Sequence, residues 1–327
     1  MLGILDPKLP GLTSVEDTAT WWELLRTIGL VAADTSPRNV RVELLKHHPG
    51  SRCTFRAQWW GREATRSLIG KLYDVDRPEV YDAMRAVQAA GFDGASEFGI
   101  PRPLAYLPSL RLLLQEEVNG ESVQDLCLRR GARIIDVAER CARWLLSFQA
   151  SAPVSEPPPD RDTLLASLAR WSARVARLGE PFGDKAACLW RALQEMASTL
   201  APVPGCAGHG SYSPAHVVLV GRRTIVLDWD GYDVADPARD VARFVVAVRR
   251  LALGRLGSVH SLDDVASEFL SAFLREGPSE AGANMRFYVA ATWLRLAKYA
   301  DAHRVSHWRE KLSLMLDEGL RAAEGGD

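Results

Sequence analysis

The sequence predicts an α+β fold in two lobes, with a small, mainly β N-terminal lobe and a larger, mainly α-helical C-terminal lobe. Strand-like segments and a single clear helix crowd into the first part of the chain, whereas long helical patterns dominate after residue 120. One short apolar hairpin interrupts those helices near residue 220. We therefore expect an N-terminal lobe at residues 1–115, a hinge at 116–120 and a helical lobe at 121–327.

The N-terminal lobe is predicted to begin with an amphipathic helix over residues 14–32, because apolar side chains recur there near the 3.6-residue period. A turn with adjacent Pro and Gly at residues 47–51 separates the first two strands, and Gly91 is expected to end the helix that follows the third strand. Strands of this lobe are predicted at residues 40–46, 52–60, 65–73, 104–107 and 111–116, and a helix is predicted at residues 78–90.

The C-terminal lobe follows as a series of helices broken by one hairpin. A proline-rich stretch at residues 152–162 is predicted to be an ordered or semi-rigid connection. Helices are predicted again from Pro237 to the end of the chain, including one over residues 284–303. Earlier helices are predicted at residues 123–129, 134–149, 163–177 and 185–200. The two strands of the hairpin are predicted at residues 217–220 and 224–227.

Composition excludes several classes of protein. The 327 residues carry a net charge of −1, so no basic surplus favours binding to nucleic acid or to an anionic membrane surface. No apolar run approaches the roughly 20 residues that a membrane-spanning helix needs, and the N-terminus lacks the pattern of a secretory signal. The five cysteines show neither disulfide nor zinc-ligand spacing. We expect a soluble, cytoplasmic protein.

The most informative segment is HGSYSPAHVVLVGRRTIVLDWDGYDVADPARDVA, residues 209–242. A loop of small and polar residues precedes an apolar hairpin that ends at Asp228, and Asp230 lies two residues further on. Carboxylates at this point, near His209 and His216, are suited to an oxygen-and-nitrogen metal site. The same residues also suit a hairpin with acidic turns and helix caps. Both interpretations remain open on this pattern alone.

This segment resembles the catalytic core of the aminoglycoside phosphotransferases and of the choline, homoserine and macrolide kinases, which share a protein-kinase-like fold. The pattern of that family runs His-Gly-Asp, four variable residues, Asn, a short hairpin, Ile-Asp-Trp/Phe and Gly-Asp-Pro-x-x-Asp. The matching positions in this chain are His209-Gly210, Pro214, Val217–Leu219, Leu227-Asp228-Trp229, Asp236-Pro237 and Asp240.

The resemblance implies that Asp228 holds Mg²⁺ against the β- and γ-phosphates of ATP, since hard cations prefer carboxylate oxygens. Asp230 would assist directly or through water. His216 stands where the family has Asn as a second metal ligand. Asp236 and Asp240 are expected to cap and anchor the following helix, and His209 to brace the loop.

Ser211 is the main departure from the family pattern, because it stands at the position of the catalytic Asp. A serine hydroxyl cannot act as a carboxylate base near neutral pH, and a positioned base contributes about 10²–10⁴-fold in rate. We expect this change to weaken catalysis without abolishing ATP binding. Asp230 or Asp233 is a candidate to replace the missing base.

The N-terminal lobe is expected to supply the rest of the nucleotide site. Lys71 closes the third strand, where kinase-like folds keep the lysine that contacts the α- and β-phosphates. We expect its acidic partner to be Glu79, with Asp82 as second choice. Residues 47–51 would form the loop over the phosphates. Backbone groups near Glu116 and Val118 would bind the adenine edge.

The resulting hypothesis is an ATP- and Mg²⁺-dependent kinase of a hydroxylated small molecule. The alternative is a pseudokinase that binds nucleotide or a protein partner, and a third possibility is nucleotidyl transfer. The oligomeric state and the preference for ATP or GTP are left open. Arg295 and Lys298 argue against a cation-selective acceptor pocket. Candidate acceptor-site residues are Asp160, Asp162, Asp233, Trp293, Tyr299 and Trp308.

Overall fold

The chain divides into two compact units, one comprising residues 1–120 with 225–227 and the other residues 121–224 with 228–327. The computed structural model describes residues 6–31, 40–60, 65–131, 133–154, 157–299 and 307–325. The first unit is built mainly of antiparallel strands and the second mainly of helices. The predicted α+β fold, with a β-rich and a helical lobe, is therefore confirmed.

An antiparallel sheet in the order β1-β2-β3-β6-β5 forms the body of the first unit. Alternate side chains of its second strand are buried, as the two-residue period of a strand requires. The elements of this unit are α1 (Leu12–Glu16), α2 (Thr18–Thr27), β1 (Val40–His48), β2 (Arg52–Trp60), β3 (Thr65–Tyr73), α3 (Pro78–Val87), β4 (Phe98–Gly99), β5 (Pro103–Leu107) and β6 (Leu112–Glu116).

The single helix expected over residues 14–32 is two helices, α1 and α2, separated at Asp17. The backbone of Asp17 is extended, with φ −82° and ψ 115°, and its carboxylate accepts hydrogen bonds from the amides of Ala19 and Thr20. Asp17 is thus the N-cap of a new helix. Trp21 of that helix meets Phe55 edge to face, with ring centroids 5.4 Å apart. Residue 32, the predicted end, lies outside the described residues.

Gly70 lets the third strand approach the aromatic core of the first unit. It stands directly opposite Phe55 in the register between β2 and β3. A Cβ atom at this position would lie only 2.1 Å from Cζ of the Phe55 ring. The strand therefore depends on glycine at the residue before Lys71.

The predicted helix after the third strand buries Val80, Met84 and Val87, the face that its spacing indicated. The α-helix ends at Val87 and a π-helical turn follows at Gln88–Phe92. The helical path breaks at Gly91, as predicted, because Gly91 adopts a non-helical φ of 104°. A residue without Cβ is suited to this conformation.

The second unit packs its helices around two buried clusters. One contains Leu189, Phe287, Trp293 and Leu316, and the other is the aromatic cluster below the candidate site. Short strands pair antiparallel within this unit, β7 with β9 and β11 with β8. The elements after Gly120 are β7 (Glu121–Ser122), α4 (Val123–Arg129), α5 (Ile134–Ser151), α6 (Arg161–Ala176), α7 (Phe182–Ser198), β8 (Cys206–Gly208), β9 (Val217–Val220), β10 (Arg223–Val226), β11 (Asp233–Ala235), α8 (Ala238–Leu256), α9 (Asp263–Glu276), α10 (Met285–Ala297) and α11 (Trp308–Glu324).

All five cysteines are free thiols, in line with the absence of paired cysteine spacing. Among the described residues, none of the helices combines the length and the apolar character needed to cross a bilayer. The predicted end of the helix over residues 284–303 lies outside the described residues, and the described helix α10 ends at Ala297.

Candidate active site

The loop at residues 209–216 rests on a buried aromatic cluster of the second unit. Tyr212 is fully buried, and its hydroxyl donates a hydrogen bond of 2.8 Å to the carbonyl of Cys141. Its ring stacks on Trp144 at 5.6 Å and lies 5.3 Å from Phe244. Contacts of this kind fix the backbone of the loop on a rigid support.

Asp240 holds the same loop from the helix below it. Its carboxylate accepts hydrogen bonds from the backbone amides of His209 at 2.7 Å and Gly210 at 3.2 Å. Burial favours the neutral acid, but Arg239, Arg243 and His209 outweigh that effect and lower the pKa of Asp240 to about 2. We expected Asp240 to anchor its own helix. Its carboxylate instead reaches across to the loop about thirty residues earlier, a contact that local sequence cannot show.

Asp236 performs the capping role expected of it. Its carboxylate accepts the amide of Ala238, at 2.8 Å, at the start of α8. The other oxygen accepts a 2.6 Å hydrogen bond from the side-chain amide of Asn284. Burial raises the pKa of Asp236. Asp236 thus caps the start of α8, while Asp240 of the same helix holds the candidate loop.

Two glycines bring the loop into backbone contact with the turn that follows Asp228. Gly210 has φ 77°, a left-handed conformation that favours glycine. A Cβ atom here would lie 1.9 Å from the carbonyl oxygen of Gly231. The obstacle is backbone, which cannot rotate away. Any side chain at residue 210 would therefore push the two loops apart.

Asp228 itself adopts a left-handed conformation, with φ 68° and ψ 69°. This conformation is uncommon for a residue other than glycine, and such residues cluster at functional sites. The carboxylate of Asp228 lies 3.4 Å from Nε2 of His216. Two candidate metal ligands named from the sequence are therefore neighbours.

The hydrogen bonding of His216 determines which ring nitrogen faces Asp228. Nδ1 lies 2.9 Å from the carbonyl oxygen of Ser211. Because a carbonyl only accepts, Nδ1 carries a proton and donates it. Nε2 then either carries a second proton and forms an ion pair with Asp228, or directs its lone pair to a cation held between the two side chains.

Ser211 is surrounded by polar atoms of the same loops. Its hydroxyl lies 3.3 Å from Nδ1 of His209 and 3.4 Å from the backbone carbonyl of Asp228. His209 is fully buried and accepts the Ser211 amide at 3.3 Å, and these contacts are of the kind that braces a loop. Ser211 thus lies beside Asp228, although a hydroxyl supplies no base there.

The two carboxylates proposed as replacement bases differ in their surroundings. Asp233 binds Arg239 through both carboxylate oxygens. Both oxygens of that carboxylate are occupied by the guanidinium, so neither is directed at a substrate hydroxyl. Asp230 lies half-buried in the short turn Trp229–Gly231. Of the two, Asp230 is the better candidate.

Lys71 lies in the middle of the sheet of the first unit. It is 7% exposed and faces Thr54 on one neighbouring strand and Leu113 on the other. The carboxylate of Glu79 binds Arg77 and is 61% exposed, and the alternative, Asp82, is exposed too. The pairing of Lys71 with either acid stays a prediction, as does its meeting with Asp228 on one triphosphate.

The predicted phosphate loop is held by a residue that sequence reasoning missed. The amide of Gly50, which has φ 69°, donates a 2.7 Å hydrogen bond to Asp6, and Nε2 of His47 lies 2.9 Å from the same oxygen. These hydrogen bonds lower the pKa of Asp6. Only a turn-like Asp-Pro pair marks Asp6 in the sequence, and it lies more than forty residues from its partners.

The predicted adenine-binding segment follows β6. The amide of Glu116 donates to the carbonyl of Arg102 at 2.9 Å, and its carboxylate accepts the Arg102 amide at 3.2 Å. Val118 is half-buried, and within the described part of the chain its amide makes no hydrogen bond. Glu117 was not singled out from the sequence, yet its carboxylate binds Nε of Arg56 at 2.6 Å.

A cavity of about 490 Å³ opens beside the loop, entirely within the second unit. Its walls are the loop at residues 211–216 and faces of α8, α10 and α11. Of the acceptor candidates, Tyr299 and Trp308 line this cavity, whereas Trp293 belongs to the core. Asp160 caps α6 by accepting the amide of Thr163, Asp162 is exposed and Asp233 binds Arg239.

Several solved structures resemble this chain along most of its length. The choline/ethanolamine kinase family protein from Mesorhizobium loti is 16% identical, over 94% of this chain and 95% of that chain, with a TM-score of 0.59. A thermostable mutant of aminoglycoside phosphotransferase APH(4)-Ia, in a ternary complex with AMP-PNP and hygromycin B, is also 16% identical, over 93% and 97%, with a TM-score of 0.62. Choline kinase from Cryptosporidium parvum Iowa II is 12% identical, over 94% and 96%, with a TM-score of 0.57.

These likenesses confirm the protein-kinase-like fold. A search of curated protein sequences gave no significant match. The model of the phosphotransferase enzyme family (APH) matches residues 51–284, which is more than half of the chain and includes both Lys71 and the loop around Ser211. The chain belongs to the phosphotransferase enzyme family.

Proposed function

We propose that the protein is an ATP- and Mg²⁺-dependent phosphotransferase that acts on a hydroxylated small molecule. The observation that carries the proposal is the position of the cavity. Ser211 and His216 form part of its wall, and His216 also faces Asp228 at 3.4 Å. Space for an acceptor therefore adjoins the candidate metal ligands. The APH(4)-Ia structure, which holds AMP-PNP and hygromycin B, supports a nucleotide and a small molecule as the two substrates.

The residues around Asp228 fit a magnesium ion that is shared with a nucleotide. Among the described residues, no group of three or more His, Cys, Asp or Glu side chains is arranged to hold a metal on its own. Mg²⁺ in phosphoryl-transfer sites usually takes one or two protein ligands and completes its shell with phosphates and water. Asp228 and His216 would be those ligands. When bound, the ion would neutralise charge on the β- and γ-phosphates.

The other residues of the site would bind and orient. Lys71, buried in the sheet, would contact the α- and β-phosphates, and the amide of Val118 would bind the adenine edge. Asp240, with two backbone amides on its carboxylate, would keep the loop around Ser211 in position. Phosphoryl transfer depends chiefly on positioning and electrostatics, so these roles account for most of the expected catalysis.

Ser211 favours a second candidate function, a pseudokinase that binds nucleotide or a protein partner. A hydroxyl in place of the catalytic carboxylate would remove the general base and leave the binding residues in place. The kinase and a nucleotide-binding pseudokinase both require nucleotide binding, a pseudokinase that binds only a protein partner does not, and only the kinase requires turnover.

Nucleotide binding is tested by the thermal stability of the full chain with ATP, with and without Mg²⁺. We expect Mg-ATP to stabilise the wild type, because a ligand at 100 times its Kd contributes about 2.7 kcal/mol. Asp228→Asn should lose most of the Mg²⁺-dependent part, since asparagine tolerates the same backbone but lacks the charge. Lys71→Met should weaken ATP binding even without Mg²⁺.

The matched control is Asp162→Asn, an exposed carboxylate on α6, which should leave the stabilisation by Mg-ATP unchanged. Equal stabilisation of the wild type and Asp228→Asn would refute the assignment of the metal ligand. No stabilisation of the wild type by any nucleoside triphosphate would refute the kinase and the nucleotide-binding form of the pseudokinase.

A further inference from the structure

The cavity beside Ser211 is basic. Among its described lining residues there is no Asp or Glu, whereas five carry a permanent positive charge: Arg243, Arg250, Arg255, Arg295 and Lys311. The protein as a whole has a net charge of only −1, so this concentration is local. This positive charge distinguishes the cavity from a site for a cationic acceptor, which carboxylates in the wall would favour.

The basic residues are arranged on helix faces that meet at the cavity. Arg243, Ala247 and Arg250 are four and three residues apart and therefore share one face of α8. Thr292, Arg295 and Leu296 share a face of α10 in the same way. Arg243 lies nearest the loop, because it donates a 3.2 Å hydrogen bond to the carboxylate of Asp240 that holds His209. Arg250 follows roughly 10 Å further along the axis.

The carboxylates near Arg243 do not balance the guanidinium groups. Asp233 binds Arg239 through both oxygens. Asp240 lies between Arg239 at 3.8 Å and Arg243 at 3.2 Å. Arg295 has no ion pair within the described part of the chain. Asp236 also acts on Arg239, but its carboxylate is hydrogen bonded to Ala238 and Asn284. Among the described residues Arg250, Arg255 and Lys311 form no ion pair either, so a surplus positive charge is left at the wall of the cavity.

This surplus positive charge is costly at Arg243 and Arg295, because burial removes much of these two side chains from water. Burial, together with the repulsion of Arg239 and Arg295, lowers the pKa of Arg243 to about 9 even though Asp240 acts in the opposite direction. Burial also lowers the pKa of Arg295. Buried charges are normally paired. A bound anion would supply the missing negative partner and offset the cost of burying these guanidinium groups.

From the geometry we infer that the acceptor is an anion: a hydroxylated molecule that carries a carboxylate or a phosphate, bound by Arg243 and Arg295, with its hydroxyl directed to Ser211. The inference rests on the proposed function for the hydroxyl, but the anion site stands on the cavity alone. Tyr299, Trp308 and Met315 add an apolar wall. That wall suits a ring or a short carbon chain between the two polar ends.

Binding to the full chain is tested by calorimetry without ATP, using four molecules of similar size. Gluconate and glucose 6-phosphate are the anions, glucose is the neutral match and glucosamine the cation. We expect at least one of the two anions to bind at least tenfold more tightly than glucose and glucosamine. Arg295→Gln should weaken anion binding at least tenfold, and Arg295→Lys should retain part of it because the charge remains.

Arg191→Gln provides the control, since Arg191 is exposed on α7 and does not line the cavity. It should leave the affinity for anions unchanged. Circular dichroism checks that each variant is folded. Binding of glucose or glucosamine as tight as that of the better anion would overturn the inference, and so would an unchanged anion affinity in a folded Arg295→Gln.

ATP consumption with the same molecules separates this inference from the proposed function. Anion binding without any transfer from ATP would uphold the anion site and contradict the proposed kinase. Transfer to glucose or glucosamine with no response to either anion would uphold the kinase and contradict the anionic acceptor.

Discussion

We propose that Ser211 determines whether the candidate site transfers a phosphoryl group. Its hydroxyl lies between Nδ1 of His209 and the carbonyl of Asp228, and its position in the cavity wall is where an acceptor hydroxyl would approach. The loop around it is fully supported by Tyr212 and Asp240. Ser211 therefore departs from the family pattern in one functional group, while the support of its loop is in place.

We expect Ser211→Asp to raise the rate of ATP consumption by about 10²–10⁴-fold, the usual contribution of a positioned base. ATP hydrolysis by the full chain with Mg²⁺ is the measurement, because water then serves as acceptor. Ser211→Asn is the control: it introduces a polar group of similar size without a base, and should give no increase. A wild type that already exceeds Ser211→Asp would show that the site relies on different chemistry.

At the scale of elements, the sheet of the first unit depends on one close contact. Gly70 admits the ring of Phe55, and the next residue is Lys71. We expect Gly70→Ala to lower the free energy of unfolding by about 1–3 kcal/mol, as overpacking a tight core does. Urea denaturation of the full chain measures it.

A double variant tests the cause of that loss. Replacing the ring, in Phe55→Leu, should reduce the cost of Gly70→Ala by about 0.5–3 kcal/mol, since the two residues are in direct contact. Ser67→Ala on the same strand should change stability by less than about 0.5 kcal/mol. Strictly additive effects of the two core substitutions would contradict the contact.

The elements also show what sequence can predict. Strands such as β2 and β3 were placed from alternation, and α3 from the spacing of Val80, Met84 and Val87, because these signals are local. The break at Asp17 was missed although its capping residue was visible. The contacts of Asp240 with His209, and of Asp6 with Gly50, join distant parts of the chain. No local pattern encodes such pairs, and the basic cavity likewise forms only when three helices pack.

At the scale of the whole molecule, resistance to acid depends partly on Asp240. Its pKa in the folded protein is about 2, against an ordinary value of 3.8. A carboxyl with a lowered pKa stabilises the fold above about pH 4, and this contribution disappears as pH falls towards 2. The shift corresponds to roughly 2 kcal/mol. Asp236, whose pKa burial raises, acts in the opposite direction and favours the fold when protonated.

We therefore expect the stability difference between the wild type and Asp240→Asn to shrink as pH is lowered from about 5 to 2. Near pH 7 the variant should be less stable by about 3–5 kcal/mol, because Arg239 and Arg243 lose a charged partner. Chemical denaturation at a series of pH values gives both quantities. A constant difference for Asp240→Asn would mean that its carboxyl titrates normally.

In the proposed enzyme, the backbone contact between Gly210 and Gly231 would couple the binding of the two substrates. A shift of the Asp228 turn would displace Gly210 and, with it, the cavity wall at Ser211. Thermodynamic reciprocity then applies: by whatever factor one ligand alters the affinity for its companion, the companion alters the affinity for the first by the same factor.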